Sequence, residues 1–496
     1  MKNPRGEGVE RGCPKHPCGR HVTEDALAFQ PAWQIAERIR AGDLSPVEAT
    51  EYFLGRIAKL DGTLNAFITV AGDQAVEAAR AAEKRLAEGG DIPPLMGVPI
   101  GLKDLEMMAG MRSTMGSPAL KDHVPETDSV VAERVRASGA IILGKTSTPE
   151  IGISFNTTTD NPISGVCHNP WDLARTTAGS SGGSAAAVVS GMLPFATGSD
   201  GGGSIRIPAS FCGVYGIKPS HGRVPRANGY GEPEPNQFAQ SGPMTRDVRD
   251  AALLLSILSG PHPGDPNSLV HRSGINLATE RDPDLNGVRI GWSPDFGYGV
   301  VDSDVSDTVL IALQKLLAFG AVVEEVELPL EAELIEHFWT IFSANAYAAF
   351  GHLKEQDPVE LGPDGLEAMR MGAEVKGSDY ARSVRRVADL KLKMSVVMKQ
   401  YDFIASPTTS ITAFDPNNRP EEVDGRKFDG VYGYFPFTYV FNMTGQPAAS
   451  VPAGLTGGLP VGLQIAGRFG DDLGVLWLST ALEKVSPWTG IRPLVS

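Results

Sequence analysis

The 496-residue sequence predicts an α/β fold, a large, mostly parallel, twisted mixed sheet covered by helices. Three observations carry that expectation. Helix-like and strand-like patterns alternate along the chain, as layered α/β architectures require. Amphipathic segments end at glycines and feed short apolar runs, at Gly139 and again at Gly320. The composition, 42% hydrophobic and 21% charged, suits a globular chain with a large core.

Residues 1–22 read as a flexible extension and residues 23–496 as one domain. The stretch from Met1 to His21 is basic and polar, with no apolar run to serve as a signal peptide. Cys13 and Cys18, with His16 and His21, could form a small metal site, but no packed hairpin pattern surrounds them. No metal and no cofactor are expected. Ser45-Pro46-Val47-Glu48 is a capping box with proline at the first helical position, opening a helix to about Leu60. A second helix, near Ser129 to Ser138, leads through Gly139 into the buried strand-like run Ala140 to Leu143. Between Gly260 and Gly287 the chain is rich in Pro, Gly, Asp and Asn. This reads as a long connection between two portions of one sheet, because strand-like Val288 to Trp292 follows at once. A helix from about Val305 to Phe319 then precedes strand-like Ala321 to Leu328.

Charge narrows the function. Lys and Arg number 44 against 59 Asp and Glu, a net charge of -15. Such a surface repels phosphate backbones and anionic membranes, so no nucleic acid and no membrane are expected as partners. The longest uncharged stretch, Thr176 to Ser199, is interrupted by glycines and Pro194 and is no transmembrane span. Four cysteines make no disulfide framework. The sequons at Asn156 and Asn442 carry little weight without a secretory signal. A cytoplasmic enzyme, monomer or homodimer, is the expectation.

The segment from Ala178 to Pro219 carries the chemistry. Gly179-Ser180-Ser181-Gly182-Gly183 precedes a small-residue helix, Ala185 to Ser190, whose N-terminal amides present a positive dipole end. Asp200-Gly201-Gly202-Gly203-Ser204 then places three glycines directly before a serine. Successive glycines let backbone N–H groups turn around an anion, as an oxyanion hole requires. A serine ending that nest can attack a carbonyl whose developing charge the nest stabilises, provided a base takes its proton. The nine histidines form no partner motif. A desolvated lysine is the other usual base, and Lys103 ends the apolar run Gly97-Val98-Pro99-Ile100-Gly101-Leu102. Its pKa must fall from about 10.4 to about 7–8, a loss of roughly 4 kcal/mol that burial can impose.

These residues resemble the amidase signature family, whose Gly/Ser-rich stretch Gly-Ser-Ser-Gly-Gly-Ser is followed by Asp-x-Gly-Gly-Ser-Ile-Arg-x-Pro. The likeness runs from about Asp43 to Lys484. Gly97 to Asp104 is similar to the family's catalytic-lysine strand, and Gly144-Lys145-Thr146 with Glu150 to its following strand and turn. Asn169-Pro170-Trp171 is similar to the approach to the signature. Asn442 to Gly454 and Gly458 to Gln464 are similar to its closing strands. The resemblance implies the amidase signature fold, with a signature core at about 90–225. It implies Ser204 as nucleophile, Ser180 as relay after a cis Gly179–Ser180 bond, and Lys103 as base. It places the N–H groups of Gly201, Gly202, Gly203 and Ser204 in the oxyanion hole and Ser181 in hydrogen bonding to the lysine. Gly179, Asp200 and Arg206 are supports. Two positions depart from the pattern: Ala178 stands where many members have Gly, and Gly201 where many have Thr or Ile. Neither removes a reacting group.

The implied activity is hydrolysis of neutral carboxamides, and of esters, through an acyl-enzyme. Carbamate (urethane) cleavage by the same site is an alternative. The amidase component of a tRNA-dependent amidotransferase is another, although Met371 to Lys399 lacks the glycine- and serine-bearing motif of those proteins. A binding protein with a vestigial site is disfavoured by the retention of Ser204, Ser180 and Lys103 together. Two other motif matches fail on context. Gly139 to Thr146 fits a phosphate-binding loop letter for letter, but its filler residues form a buried strand. Gly179 to Gly183 fits a nucleophile elbow with Ser181 attacking, but Leu173 to Thr177 is too short and polar to be the strand an elbow needs. Lys145 and Lys218 are rival bases set in turn-like Gly-Lys-Thr and Lys-Pro contexts. Phe338, Trp339, Phe342 and Tyr347, and Tyr432, Tyr434, Phe435 and Phe437, are core or pocket. Any that face the pocket imply an apolar or aromatic substrate group.

Overall fold

The computed structural model describes residues 24–155, 157–230, 232, 238–270, 284–355, 361–428 and 433–496. The Cys13/Cys18 site, the extension, Asn156 and Tyr432 lie outside them.

One eleven-stranded sheet organises the chain. Its strands are β1 (Phe67–Val70), β2 (Pro99–Lys103), β3 (Ile141–Thr146), β4 (Phe195–Asp200), β5 (Tyr215–Lys218), β6 (Gln240–Thr245), β7 (Arg289–Trp292), β8 (Val322–Glu325), β9 (Phe403–Pro407), β10 (Ala448–Thr456) and β11 (Leu459–Ala466). They lie in the order β1-β3-β2-β4-β6-β5-β10-β11-β9-β7-β8. The expected mixed sheet with helical cover is present, and its parallel pairs fall in two groups. β3, β2 and β4 run parallel near one edge, and β9, β7 and β8 at the other. The strands between them pair antiparallel. β10 and β11 form a hairpin through Gly457 and Gly458, both at positive φ, the twist that two-residue hairpins favour.

The predicted helices follow their capping chemistry. Ser45 caps Pro46–Leu64 in a reciprocal capping box with Glu48, and Asn65 ends it in the left-handed conformation. Ser129 accepts from the Ala132 N–H at the start of Val130–Ala137. Asp302 caps Ser303–Gln314, which tightens into a 3₁₀ turn, Lys315–Phe319, before left-handed Gly320. The small-residue helix spans Gly182–Val189, every residue of it buried.

Topology assembles the site. β2 and β4 are parallel neighbours, so Lys103 at the end of one and Asp200 at the end of the other reach the same sheet edge. The helix Gly182–Val189 packs on both strands and leads back into β4. The carboxyl ends of parallel strands are where such sheets place ligands.

Candidate active site

Lys103 is wholly buried, and its Nζ donates to Ser180 Oγ at 2.8 Å. The same ammonium donates to Ser199 Oγ at 3.0 Å and to the Ser199 carbonyl at 3.3 Å. Burial pushes the lysine down to about 7, against the opposing charges of Asp200 and Glu106. A lysine held this low gives up its proton near neutral pH, as a general base must. The Gly179–Ser180 peptide bond is cis, as the resemblance implies. Among the described residues Ser180 Oγ and Ser204 Oγ share no hydrogen bond, but both residues line one cavity. Such contacts are commonly long without substrate and tighten with it.

The glycine loop divides into a working face and an anchored face. Gly201, Gly202 and Ser204 line the cavity. The Gly203 N–H instead donates to Asp200 Oδ1 at 2.7 Å, so a carboxylate already engages this amide. Gly203 has φ 140°, and a Cβ there would meet Thr438 Oγ1 at 2.4 Å, which only glycine avoids. Gly201 is different: a Cβ would stand 3.4 Å from the Phe342 ring, an ordinary contact. That position has room for a side chain, so its glycine enlarges the cavity rather than permitting a turn.

Asp200 and Arg206 form the strut beneath the loop. Arg206 Nε donates to Asp200 Oδ2 and Nη2 to Oδ1, both at 2.9 Å, and both side chains are wholly buried. The guanidinium also reaches the Thr438 carbonyl and Gln464 Oε1 at 2.8 Å and Asn442 Oδ1 at 2.6 Å. Burial raises the Asp200 carboxyl, but the Arg206 charge and hydrogen bonds outweigh it and hold the group at about 2. Asn442 Nδ2 donates back to the Asp200 carbonyl at 2.9 Å. Thr438 Oγ1 donates to the Gly202 carbonyl at 2.6 Å. Segments more than 200 residues apart thus fix one loop. The Asn442 side chain is wholly buried, out of reach of a glycan.

Other candidates fall elsewhere. Ser181 makes no described bond to Lys103; its Oγ donates to the Ser199 carbonyl at 3.2 Å, so it acts on the lysine's partner. Lys145 and Lys218 are not in turns, as their Gly-Lys-Thr and Lys-Pro contexts suggested. Both sit in strands of the central sheet, β3 and β5, and are wholly buried. Lys145 pairs with Asp104 at 3.6 Å and donates to the Glu106 carbonyl and to Ser113 Oγ. Burial and the Arg206 charge bring Lys218 down to about 7 as well, yet it donates to the Pro219 carbonyl and does not line the cavity. Location, not proton affinity, separates it from Lys103. The Gly139–Thr146 match to a phosphate loop is buried strand β3 from Ile141 onward.

An aromatic wall faces the serines. Phe338, Trp339, Phe342 and Phe435 line the cavity, whereas Phe437 is core and Tyr347 is exposed. The Phe338 and Phe342 rings stack at 5.5 Å, and Phe238 stacks on Phe338 from behind. Sequence reading missed Tyr230, Phe350 and Tyr439 in the same wall, along with Glu106 and Ser199. Among the described residues no group of His, Cys, Asp and Glu could hold a metal, and no helix is long and apolar enough to cross a membrane.

The chain matches the amidase family model over residues 48–476. It is 34% identical over 476 residues to an acylamidase of Rhodococcus erythropolis, covering 95% of this chain and 98% of that protein. It is 36% identical over 485 residues to a glutamyl-tRNA(Gln) amidotransferase subunit of Symbiobacterium thermophilum, covering 92% and 96%. The crystal structure of a bacterial aryl acylamidase of the amidase signature family superposes with a TM-score of 0.87 at 31% identity, over 94% of this chain and 99% of that one. With a buried Lys–Ser pair beside a Gly/Ser loop and this likeness along its length, the chain belongs to the amidase signature family and is an amide C–N hydrolase.

Proposed function

We propose that the protein is a serine-dependent amidase that cleaves neutral carboxamides and esters with an aromatic or apolar group, through an acyl-enzyme. The observation that carries this reading is the 2.8 Å contact between buried Lys103 Nζ and Ser180 Oγ, opening on the cavity that Ser204 lines. Neutral Lys103 takes a proton through Ser180 while Ser204 Oγ attacks the carbonyl carbon. The tetrahedral oxyanion lies against the N–H groups of Gly201, Gly202 and Ser204. Donors fixed in place before the reaction stabilise such a charge without reorganising. The relay returns the proton to the leaving nitrogen or oxygen as its bond to the carbonyl carbon breaks. Water then attacks the ester of Ser204, the proton again passing to Lys103, and the carboxylic acid leaves.

The aromatic wall of Phe338, Trp339 and Phe342 favours aryl substrates, in keeping with the aryl acylamidase likeness. Carbamates present the same carbonyl to the same groups and form a second substrate class. The test is chromogenic hydrolysis of aliphatic and aromatic 4-nitroanilides, 4-nitrophenyl esters and N-aryl carbamates, each beside Ser204→Ala. Turnover of an amide or carbamate that falls by about 10⁶-fold in the variant, the scale of losing a catalytic serine, supports the reading. Undiminished turnover by folded Ser204→Ala overturns it. No turnover of any class by folded wild-type protein favours an amidase that works only with a partner, as in an amidotransferase.

A further inference from the structure

Glu106 stands in the reaction cavity, and the relay described above does not use it. It lies three residues beyond Lys103, in a turn closed by its own N–H donating to the Lys103 carbonyl at 2.9 Å. The side chain is 7% exposed and lines the cavity together with Ser180, Ser204 and Ser241. Ser241 Oγ donates to Oε1 at 2.6 Å and Ser129 Oγ to Oε2 at 3.0 Å, which fixes the carboxylate from two elements. Two hydroxyls use about half of the four acceptor positions a carboxylate offers. Among the described residues no ion pair reaches it. Arg226, a cationic residue of the same lining, is held by Glu232 at 3.1 Å. Lys103 and Lys145 are the cations whose charge reaches Glu106. Lys145 is paired with Asp104 at 3.6 Å, so when Lys103 is neutral, as attack requires, the Glu106 carboxylate faces the cavity with no ion pair of its own among the described residues.

We propose that Glu106 determines specificity, its carboxylate accepting a substrate group that donates hydrogen bonds, an ammonium or an N–H, and rejecting a carboxylate. The inference rests on the amidase reading and adds to it a preference by charge. A buried carboxylate gains a charge-assisted hydrogen bond from such a donor. A second carboxylate meets repulsion that little water screens. The aromatic rings of the same lining act in the same sense, since ring faces attract cations. The carboxylic acid released by hydrolysis ionises and is repelled by the same charge, which favours its departure.

The test compares three anilides of one shape that carry an ammonium, a carboxamide or a carboxylate at the end of the acyl chain, and a second series with the groups on the anilide ring. The value of kcat/KM is measured for wild type, Glu106→Gln and, should that variant fail to fold, Glu106→Met. In at least one series the wild type is expected to prefer ammonium over carboxylate by about tenfold or more, and the uncharged variant to narrow that ratio to about threefold or less. Equal use of ammonium and carboxylate by the wild type in both series, or a ratio that persists in the uncharged variants, overturns the assignment. In both overturning cases the carboxamide is still cleaved, so failure of this inference is distinct from failure of the amidase reading, in which none of the three is cleaved.

Discussion

Lys103 and Lys145 stand on neighbouring parallel strands, one residue apart in register, and both are wholly buried. Burial lowers the proton affinity of each. Their partners differ. Lys145 has a carboxylate, Asp104, at 3.6 Å together with the Glu106 carbonyl and Ser113 Oγ. Lys103 has two hydroxyls and a carbonyl. A carboxylate neighbour keeps a buried ammonium charged and makes it structural, whereas hydroxyls accept or return a proton and leave the amine free to lose its own. On the proposed mechanism, two lysines of the same scaffold are thus sorted into a structural cation and a base by the company of their Nζ atoms. Lys145 lines no part of the cavity.

The comparison is broken most sharply by removing each lysine in turn. Lys103→Ala is expected to lower kcat/KM by about 10²–10⁴-fold at pH 7, the range of general-base catalysis, while the melting temperature holds or rises. Lys103→Arg is expected to lose as much, because a guanidinium cannot give up its proton. Assays beside a thermal melt check both. Lys145→Met is expected to behave the other way. It leaves Asp104 buried without its cation, a loss of about 3–5 kcal/mol measurable by denaturant unfolding. The protein that remains folded is expected to keep an activity midpoint near the Lys103 value of about 7. A variant with unchanged stability and no activity would reverse the two roles.

A smaller effect is expected at the cavity wall. Gly201→Thr places a side chain against Phe342, since an added Cβ would stand 3.4 Å from that ring. It is expected to raise KM for bulky aryl substrates by about tenfold, the worth of a methylene or two in an apolar pocket. Small aliphatic substrates are expected to change by less, and paired Michaelis curves separate the cases.

Local chemistry made part of this legible in sequence. The capping box at Ser45, the glycine stops at Gly139 and Gly320 and the apolar run into Lys103 depend on neighbours within a few positions, and the structure follows them. The three glycines before Ser204 announced an anion nest for the same reason. What stayed hidden is made by distant contact. Strand β6, Gln240–Thr245, has no apolar alternation, and pairing with β4 and β5 makes it a strand. Lys145 and Lys218 resembled turn residues, but pairing with β1 and β2, and with β6 and β10, holds their segments in strands of the central sheet. Ser199 and Glu106 carry no motif and gain meaning only when Lys103 and Ser241 arrive beside them. Gly203 looked equivalent to Gly201 and Gly202, and the Asp200 carboxylate distinguishes it.

In the proposed mechanism Ser204 is a nucleophile armed by a lysine that burial holds down at about 7. The most direct measurement is the rate of labelling by a fluorophosphonate as a function of pH, with the modified residue located by peptide mapping. Lys103 is held down at about 7 in the folded protein, so it binds its proton below that pH and is free to act as base above it. The expected result is a label on Ser204 alone, a rate that rises through about pH 7 to a plateau, and loss of that rise in Lys103→Ala. Labelling of Ser181, or a rate on Ser204 that ignores both pH and the loss of Lys103, would contradict it.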